Sequence, residues 1–471
     1  MRLCDLADID SDSEVTGFAI DHRKVARGSV FGAFKGQVFD GEQFIGQAIE
    51  RGAVAVVAES SAHVESVPHL ADPQPRRLFA ELAAKFYRPY PETVVAVTGT
   101  NGKTSTVEMT RQIWRMCGHR SASIGTLGVT TSDDQVKTGL TTPDIVTFLS
   151  NMAGLKRMGI SHVAYESSSH GLDQHRAEGV PLAAAAFTNF SRDHLDYHMT
   201  MDAYFEAKMR LFEDLLPPGA PAIIWTDDPK SQEVIDRARG AGHEVLTVGR
   251  AGQSIKLVDQ TPTALGQTLM LEHEGKQHRL ALPLIGAYQA SNVLTAAALV
   301  LATGGEWNAV FSAMQRVAPV RGRLERAVIT GNGVPVYVDY AHTADALEAA
   351  IAALRPHVEG RLITVFGAGG DRDQGKRPEM GAVASRLSAV VIVTDDNPRS
   401  EDPGRIRADI LVAAPDAIEI ADRREAIAEA IRIAQAGDII LLAGKGHETG
   451  QIVGDRVLPF DDALVARECA T

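Results

Sequence analysis

The chain has 471 residues, room for about three ordinary domains, and sets 47 Lys and Arg against 60 Asp and Glu, a formal net charge of −13. That sign disfavours a nucleic-acid partner, which needs a basic face to release counterions from phosphates, while leaving room for a local basic pocket around one small phosphorylated molecule. With 45% apolar and 23% charged residues the composition excludes a disordered chain, and cores of this size need no disulfide staple.

In chain order, the N-terminus, Met1 to Asp8, is acidic and lacks the apolar core of a signal peptide. Strand-like runs follow at Ser29–Phe34 and Ala53–Ala58, then a Pro-containing polar stretch, Val67–Pro75, that reads as a linker. A helical pattern, Leu78–Tyr87, leads to the apolar strand Val94–Val97. From there strands (His162–Tyr165, Ala184–Phe187, Ala222–Trp225) alternate with helical patterns (Thr106–Cys117, Thr142–Met158, Met201–Leu216). Short uninterrupted apolar strands between helices predict a parallel sheet covered on both faces. Residues 254–284 alternate as an antiparallel appendage does. The longest apolar stretch, Val293–Thr303, is well short of the ~20 residues that a membrane span needs.

Past the joint Pro319–Arg323 a second α/β unit is predicted, with strands Pro335–Val338, Leu362–Phe366, Val390–Val393 and Asp438–Leu442. Each ends in a polar or glycine-rich turn, where open α/β sheets place ligands. The expected architecture is α/β in three domains, 1–74, 75–322 and 323–471. Cys4, Cys117 and Cys469 are far apart, with no C-x-x-C spacing, so neither a disulfide framework nor a zinc site is expected. The expected setting is the cytoplasm, with no nucleic-acid or membrane partner.

The strongest local signal is Val97-Thr98-Gly99-Thr100-Asn101-Gly102-Lys103-Thr104-Ser105, between a strand and a helix. Backbone N–H groups of such a turn can wrap a phosphate, aided by the positive end of the helix. Lys103 would neutralise phosphate oxygens and Thr104 would offer its hydroxyl to Mg²⁺. The strict P-loop pattern is not met, because Val97 stands five positions before Gly102. Glu166 ends the next strand, where a carboxylate could complete a Mg²⁺ shell, although by itself a lone Glu there is better explained as a solvated loop residue. Thr188–His198 is dense in possible ligands. His194 and His198 are four apart, one face of a helix if a helix forms, but no Cys or H-E-x-x-H pattern supports zinc. Asp396-Asn397-Pro398-Arg399 reads by itself as a turn, and Gly367–Arg372 fails the dinucleotide pattern G-x-G-x-x-G at Arg372.

Taken together, Thr98–Ser105, Glu166–His170, Asn189–His198, Gly286–Asn292, Gly322–Glu325, Asp339–Thr343, Gly369–Pro378 and Gly444–Glu448 occur in the order and spacing of the Mur ligases. The chain resembles that family of ATP-dependent amide-bond-forming enzymes of cell-wall precursor synthesis over essentially its whole length. The resemblance implies a small N-terminal UDP-binding domain, a central P-loop ATPase domain and a C-terminal Rossmann-like domain. It implies addition of meso-diaminopimelate to the D-glutamyl carboxylate of a UDP-muramoyl-dipeptide, with ATP and Mg²⁺, by a monomer. Gly99, Thr100, Asn101, Gly102, Lys103, Thr104, Ser105, Asn292, Arg323, Asp339 and His342 would then serve ATP. Ile20, His22, Gln37, Val38, Phe39, Thr141, Thr142, Ser168, Gln174 and Arg176 would hold the UDP substrate; His22 stands where a Ser is common. Arg372, Asp396, Asn397, Pro398, Arg399, Gly444 and Glu448 would hold diaminopimelate. Thr104, Glu166, His194 and Lys208, the last carbamylated by CO₂, would serve metal, and Lys103, Lys208, His194 and Glu166 would carry catalysis. Three competing readings are a lysine-adding ligase of the family, a folylpolyglutamate-synthase-like ligase and a nucleotide switch. The bidentate carboxylate grip available to Arg399 argues against the first, and Asp396–Arg399 and the uridine-type first domain against the others.

Overall fold

A computed structural model describes residues 1–36, 39–132, 134–136, 139–263 and 266–470. Three large sheets succeed one another along the chain. The first contains Gly17–Ala19, Ser29–Gly32, Ala53–Ala58 and His69–Ala71, all parallel. The stretch expected to be a linker therefore contributes an edge strand, and helix Pro75–Tyr87 starts soon after it ends. Proline suits a first helical turn, where its missing N–H would have no partner. Phe79, Leu82 and Ala83 of that helix sit in one apolar core with Val30, Ala55 and Val57 of the first sheet and Val94 and Ala96 of the next.

The heart of the central sheet is a parallel run in the spatial order Glu244–Gly249, Pro221–Trp225, Ala184–Phe187, Thr93–Thr98, His162–Glu166, Ser121–Gly125. The expected antiparallel appendage is present as Ile255–Thr263, Gly266–His273 and Lys276–Leu282, which extend one edge of this same sheet. Val94–Val97 and Ala184–Phe187 are buried on both faces, as β-branched and small residues at the middle of a covered sheet should be. Helix Ala287–Ala302 is apolar on nearly every side and is buried against helix Lys103–Met116, its alanines permitting close approach. Strand register sets the position of the loops: Val97 lies opposite Glu166 on one side and Ala186 on the other. The loops 98–105, 166–170 and 188–198 therefore leave adjacent strands at one sheet edge.

The third sheet runs Glu325–Ile329, Pro335–Asp339, Ile439–Ala443, Leu362–Phe366, Val390–Val393, Ile418–Glu419, antiparallel only at its first pair. Ile439–Ala443, though late in the chain, lies between Pro335–Asp339 and Leu362–Phe366, so Tyr340, Gly444, Gly367 and Thr394 emerge side by side. Apolar clusters cover both faces. A hairpin, Gly450–Val453 with Arg456–Pro459, comes next. No helix among the described residues is long and apolar enough to cross a membrane.

Two helices of the third unit are joined by a wholly buried ion pair. Arg423 donates from Nε to Asp462 Oδ1 at 2.8 Å and from Nη2 to Asp462 Oδ2 at 2.7 Å, with both side chains 0% exposed. Removing one partner of such a pair strands the other charge in a dry interior. Asp462→Ala is therefore expected to destabilise the protein by about 3–5 kcal/mol, read as a lower urea midpoint in equilibrium unfolding.

Candidate active site

The turn before helix Lys103–Met116 closes on the neighbouring loop. Thr100 donates its N–H to Asn189 O (2.8 Å), Asn101 donates its N–H to Asn189 Oδ1 (2.8 Å), and Thr188 Oγ1 donates to Asn101 O (2.6 Å). Gly102 has φ +84°, and a Cβ there would lie 2.4 Å from Asn292 Oδ1, so only glycine fits the point where helix Ala287–Ala302 meets the turn. Lys103 folds back to donate to Gly99 O and Thr100 O, each at 2.8 Å. Burial lowers its pKa against the pull of Glu166 and Asp193.

Glu166 ties the turn to the rest of the edge. Its Oε2 accepts from Thr104 Oγ1 (3.0 Å) and Thr126 Oγ1 (3.1 Å), and its Oε1 accepts from the Thr126 N–H (2.7 Å). Arg323, from the joint before the third sheet, donates to Thr104 Oγ1 at 3.0 Å and lies over the Tyr340 ring at 4.6 Å. The third unit thus touches the turn 99–105 directly. Asp339 secures that contact from behind: it accepts from the N–H groups of Leu324 (2.7 Å) and Ala341 (2.8 Å) and from Tyr288 (3.3 Å).

Lys208 is 1% exposed and donates to Gly99 O at 2.7 Å, 4.3 Å above the Tyr204 ring. Burial, then the charge of Lys103, pushes its pKa well down, with Asp193 opposing. His194 is not on a helix face with His198, as the spacing allowed. It caps helix Leu195–His198 from a left-handed conformation (φ +54°), a strained state that tends to mark functional positions. Its Nε2 is 3.4 Å from Asp193 Oδ2, and burial outweighs that carboxylate, holding the pKa at about 3. His170 is likewise lowered by burial, to about 4. Both imidazoles are neutral at neutral pH, the form that can ligate a cation.

Three cavities meet here. One of 110 Å³ is lined by Lys103, Thr104, Glu166, His194 and Lys208. A second, of 190 Å³, lies between the central and third units and is lined by Asn101, Ser105, Asn292, Arg323, Asp339 and His342. The largest, of 430 Å³, joins Thr141, Thr142, Ser168 and Arg176 to Arg372, Asp396, Asn397, Arg399, Gly444 and Glu448. Arg176 is held by Gln174 Oε1 (2.6 Å) and Thr142 O (3.2 Å), and Ser168 and Thr142 share a hydrogen bond of 2.9 Å. Asn397 donates to Glu448 at 2.8 Å, and Arg399 spends one N–H on Gly370 O at 2.8 Å, leaving others for a ligand. Pro398 is buried behind them.

The residues expected to grip uridine stand apart from this cavity. Ile20 and Phe39 are exposed, and His22 stacks flat on Phe44 at 4.3 Å. Gln37 and Val38 lie outside the described residues. Thr126, Asp193, Tyr204, Tyr340, Lys376 and Lys445 line or support the site without having been assigned a role from sequence. Asp193 lies in the ligand-dense stretch Thr188–His198, and each of the two lysines directly follows a glycine within a glycine-rich motif.

Among the described residues no three His, Cys, Asp or Glu side chains gather into a cation cage. Thr104 and Glu166 offer one hydroxyl and one carboxylate, a set that suits Mg²⁺ bringing its remaining oxygens with a nucleotide.

Sequence comparison matches three family models in succession: the Mur ligase catalytic domain over residues 14–87, the Mur ligase middle domain over 97–300 and the Mur ligase glutamate ligase domain over 322–446. A protein of Zymomonas mobilis named UDP-N-acetylmuramoyl-L-alanyl-D-glutamate--2,6-diaminopimelate ligase is 55% identical, over 98% of this chain and 95% of its own. A Caulobacter vibrioides protein of the same name is 49% identical over 98% and 97%. A solved structure titled with that name superposes with a TM-score of 0.73 at 32% identity, covering 100% of this chain and 98% of the other. A Thermotoga maritima MurF ligase in complex with ADP shares the fold at a TM-score of 0.65 and 20% identity, covering 92% and 94%.

The packing around Glu166 makes a sharp prediction. Gly125 ends strand Ser121–Gly125, and a Cβ there would lie 2.1 Å from Glu166 Oε1. Gly125→Ala must push the carboxylate off Thr104 and Thr126. Turnover is expected to fall at least about a hundredfold, the scale of losing one preorganised polar group, with the melting temperature nearly unchanged; steady-state phosphate release and calorimetry check both.

Proposed function

The chain belongs to the Mur ligase family, and from that premise we infer that it is an ATP-dependent ligase joining meso-diaminopimelate to the D-glutamyl carboxylate of UDP-N-acetylmuramoyl-L-alanyl-D-glutamate. The observation that carries the amino-acid choice is the pairing of Arg399 with Asp396 and Glu448 in one cavity that runs on to Thr142 and Arg176. Diaminopimelate has a carboxylate and an ammonium at its far end. A guanidinium takes the first with two parallel N–H bonds, and the carboxylates accept from the second. Near-full-length identity to proteins named for this activity supports the same reading. Three well-separated free cysteines and the absence of a long apolar helix among the described residues fit a cytoplasmic protein. We take it to act as a monomer.

The nucleotide would lie between the turn 99–105 and the face made by Asn292, Arg323 and His342, with its phosphates over Lys103. The D-glutamyl carboxylate, held from the side of Thr142, Ser168 and Arg176, attacks the terminal phosphorus; ADP leaves and an acyl phosphate forms. The diaminopimelate amine then attacks the acyl carbon, the tetrahedral intermediate expels phosphate, and the amine proton is lost. Bound Mg²⁺, held through Thr104, Glu166 and His194, would offset charge on the transferred phosphoryl group. Lys103 and Arg323 add fixed positive charge in a water-poor site, where it is worth more than in solvent. Ile20, His22, Gln37, Val38 and Phe39 would receive the uridine end.

Lys208 has a second role in this reading. An ammonium beside Lys103 repels both its neighbour and a divalent cation. Its low pKa makes the neutral amine accessible, and that amine can attack CO₂, losing one proton to give a carbamate. The change turns a repelling cation into an anion able to ligate metal alongside His194.

Two measurements test the reading. Meso-diaminopimelate is expected to exceed L-lysine by up to ~10⁴-fold in kcat/KM, because lysine leaves Arg399 without its carboxylate; equal values would overturn the amino-acid assignment. Lys208→Ala should lose at least about a hundredfold in turnover and recover part of it with acetate, and wild-type protein in isotope-labelled bicarbonate should show a carbamate carbon signal that the variant lacks.

A further inference from the structure

Beneath the amino-acid end of the large cavity lies a lysine to which the reading above gives no role. Lys445 is 0% exposed. Its Nζ is 3.1 Å from Asn397 Oδ1, 3.2 Å from Glu448 Oε2 and 3.8 Å from Asp396 Oδ1. These are the groups that face the far end of the amino acid. The turn that carries it is built around it: Gly444 has φ +111°, and a Cβ there would lie 2.3 Å from Asp396 Oδ2. A larger residue at 444 would push Asp396 aside and separate the ammonium from its partners.

A buried lysine is costly to desolvate and is kept only where its charge is matched. Here the match can be counted. Around the Lys445 ammonium, Asp396 and Glu448 bring two negative charges and Lys445 and Arg399 two positive ones, and the next charged groups of the lining, Asp373 and Lys376, add one of each sign. Arg372 stands exposed at the mouth, where water screens it. The inner pocket is thus electrically balanced before any ligand enters. A zwitterionic chain end, with one carboxylate and one ammonium, also sums to zero and leaves the balance intact. A bare ammonium adds one uncompensated positive charge. Lys445 also fixes which oxygen is free: Oε2 of Glu448 is engaged by both Lys445 and Asn397, so Oε1 is left for the ligand.

We propose that Lys445 is a specificity-determining residue, whose buried ammonium offsets one pocket carboxylate so that the site favours a net-neutral zwitterionic end over a bare ammonium. The proposal rests on the diaminopimelate reading. Without Lys445 the pocket carries one excess negative charge, and a bare ammonium becomes the better electrostatic fit, since specificity is a difference between two affinities.

The test compares kcat/KM for meso-diaminopimelate and L-lysine in wild-type enzyme, Lys445→Met and Lys445→Arg. Acyl-phosphate formation is measured separately, by hydroxylamine trapping with UDP-muramoyl-dipeptide and ATP alone. In Lys445→Met the diaminopimelate-to-lysine ratio is expected to fall at least about tenfold, while hydroxamate yield and the KM for ATP stay within about threefold. Lys445→Arg should keep the wild-type ratio. A folded Lys445→Met with an unchanged ratio overturns the proposal. Should that variant not fold, Asn397→Asp places an extra negative charge against the same ammonium and must lower the ratio too; an unchanged ratio there is equally fatal. Wild-type enzyme that forms the hydroxamate but does not use diaminopimelate would instead overturn the underlying reading.

Discussion

The Glu166 carboxylate accepts hydrogen bonds from Thr104 and from both the backbone and the side chain of Thr126, and the reaction centre is organised by these bonds. It stands at the end of a strand between the one that feeds the phosphate turn and the one that ends at Gly125. Because Thr104 also accepts from Arg323, the same small network reaches the third unit. A displacement of Glu166 would therefore disturb the Thr104 hydroxyl, a neighbouring strand end and the seating of a domain together. Gly125 shows how little tolerance there is, since even one methyl group at that position would occupy the carboxylate's space.

Around this network the site concentrates positive charge where water is scarce. Lys103 and Lys208 both donate to Gly99 O; burial lowers the proton affinity of each, and the charge of Lys103 lowers that of Lys208 further. Glu166 partly offsets Lys103, and Asp193 partly offsets both lysines while facing His194, His342 and Lys376 as well. Such an arrangement is poor for the empty site and good for one that holds a phosphorylated ligand. On the proposed reading an anionic nucleotide, and a carbamate on Lys208, would each supply negative charge that relieves this crowding.

The fold was legible where its chemistry is local. Ala184–Phe187, Leu362–Phe366 and Val390–Val393 are apolar runs between turns, and each forms a strand with the bounds the pattern suggests. Ser121–Gly125 was not legible, because Ser-Ala-Ser-Ile-Gly has no apolar run; its burial comes from parallel pairing with His162–Glu166. His69–Ala71 is a three-residue edge strand in a polar, proline-flanked stretch, where turn signals outweigh strand propensity. The phosphate turn announces itself by glycines and a lysine in sequence. Thr126 does not, since its meaning is a contact to a carboxylate on a different strand, Glu166. His194 was readable as a candidate, but its left-handed cap conformation is set by the fold around it.

The two larger sheets explain why the site needs both bodies. Each places its ligand-facing loops at the carboxyl ends of adjacent parallel strands, a consequence of register and crossover topology more than of any one residue. One sheet offers Thr104, Glu166 and His194; the other offers Arg323, Asp396, Arg399 and Glu448. On the proposed reading, neither set alone would surround both an acyl phosphate and an incoming amine. The contacts that bring them together include Arg323 on Thr104, Tyr288 on Asp339 at 3.3 Å, Ile285 and Tyr288 against the apolar core of the third unit, and Arg192 near Asp373 at 3.5 Å and Glu379 at 3.4 Å. Exposed ion pairs of the last kind contribute little, so the contacts made by Arg323, Tyr288 and Ile285 carry more of the join. On the proposed ligase reading, a nucleotide engaging both Lys103 and Arg323 would couple ligand binding to domain position and help keep water from the acyl phosphate.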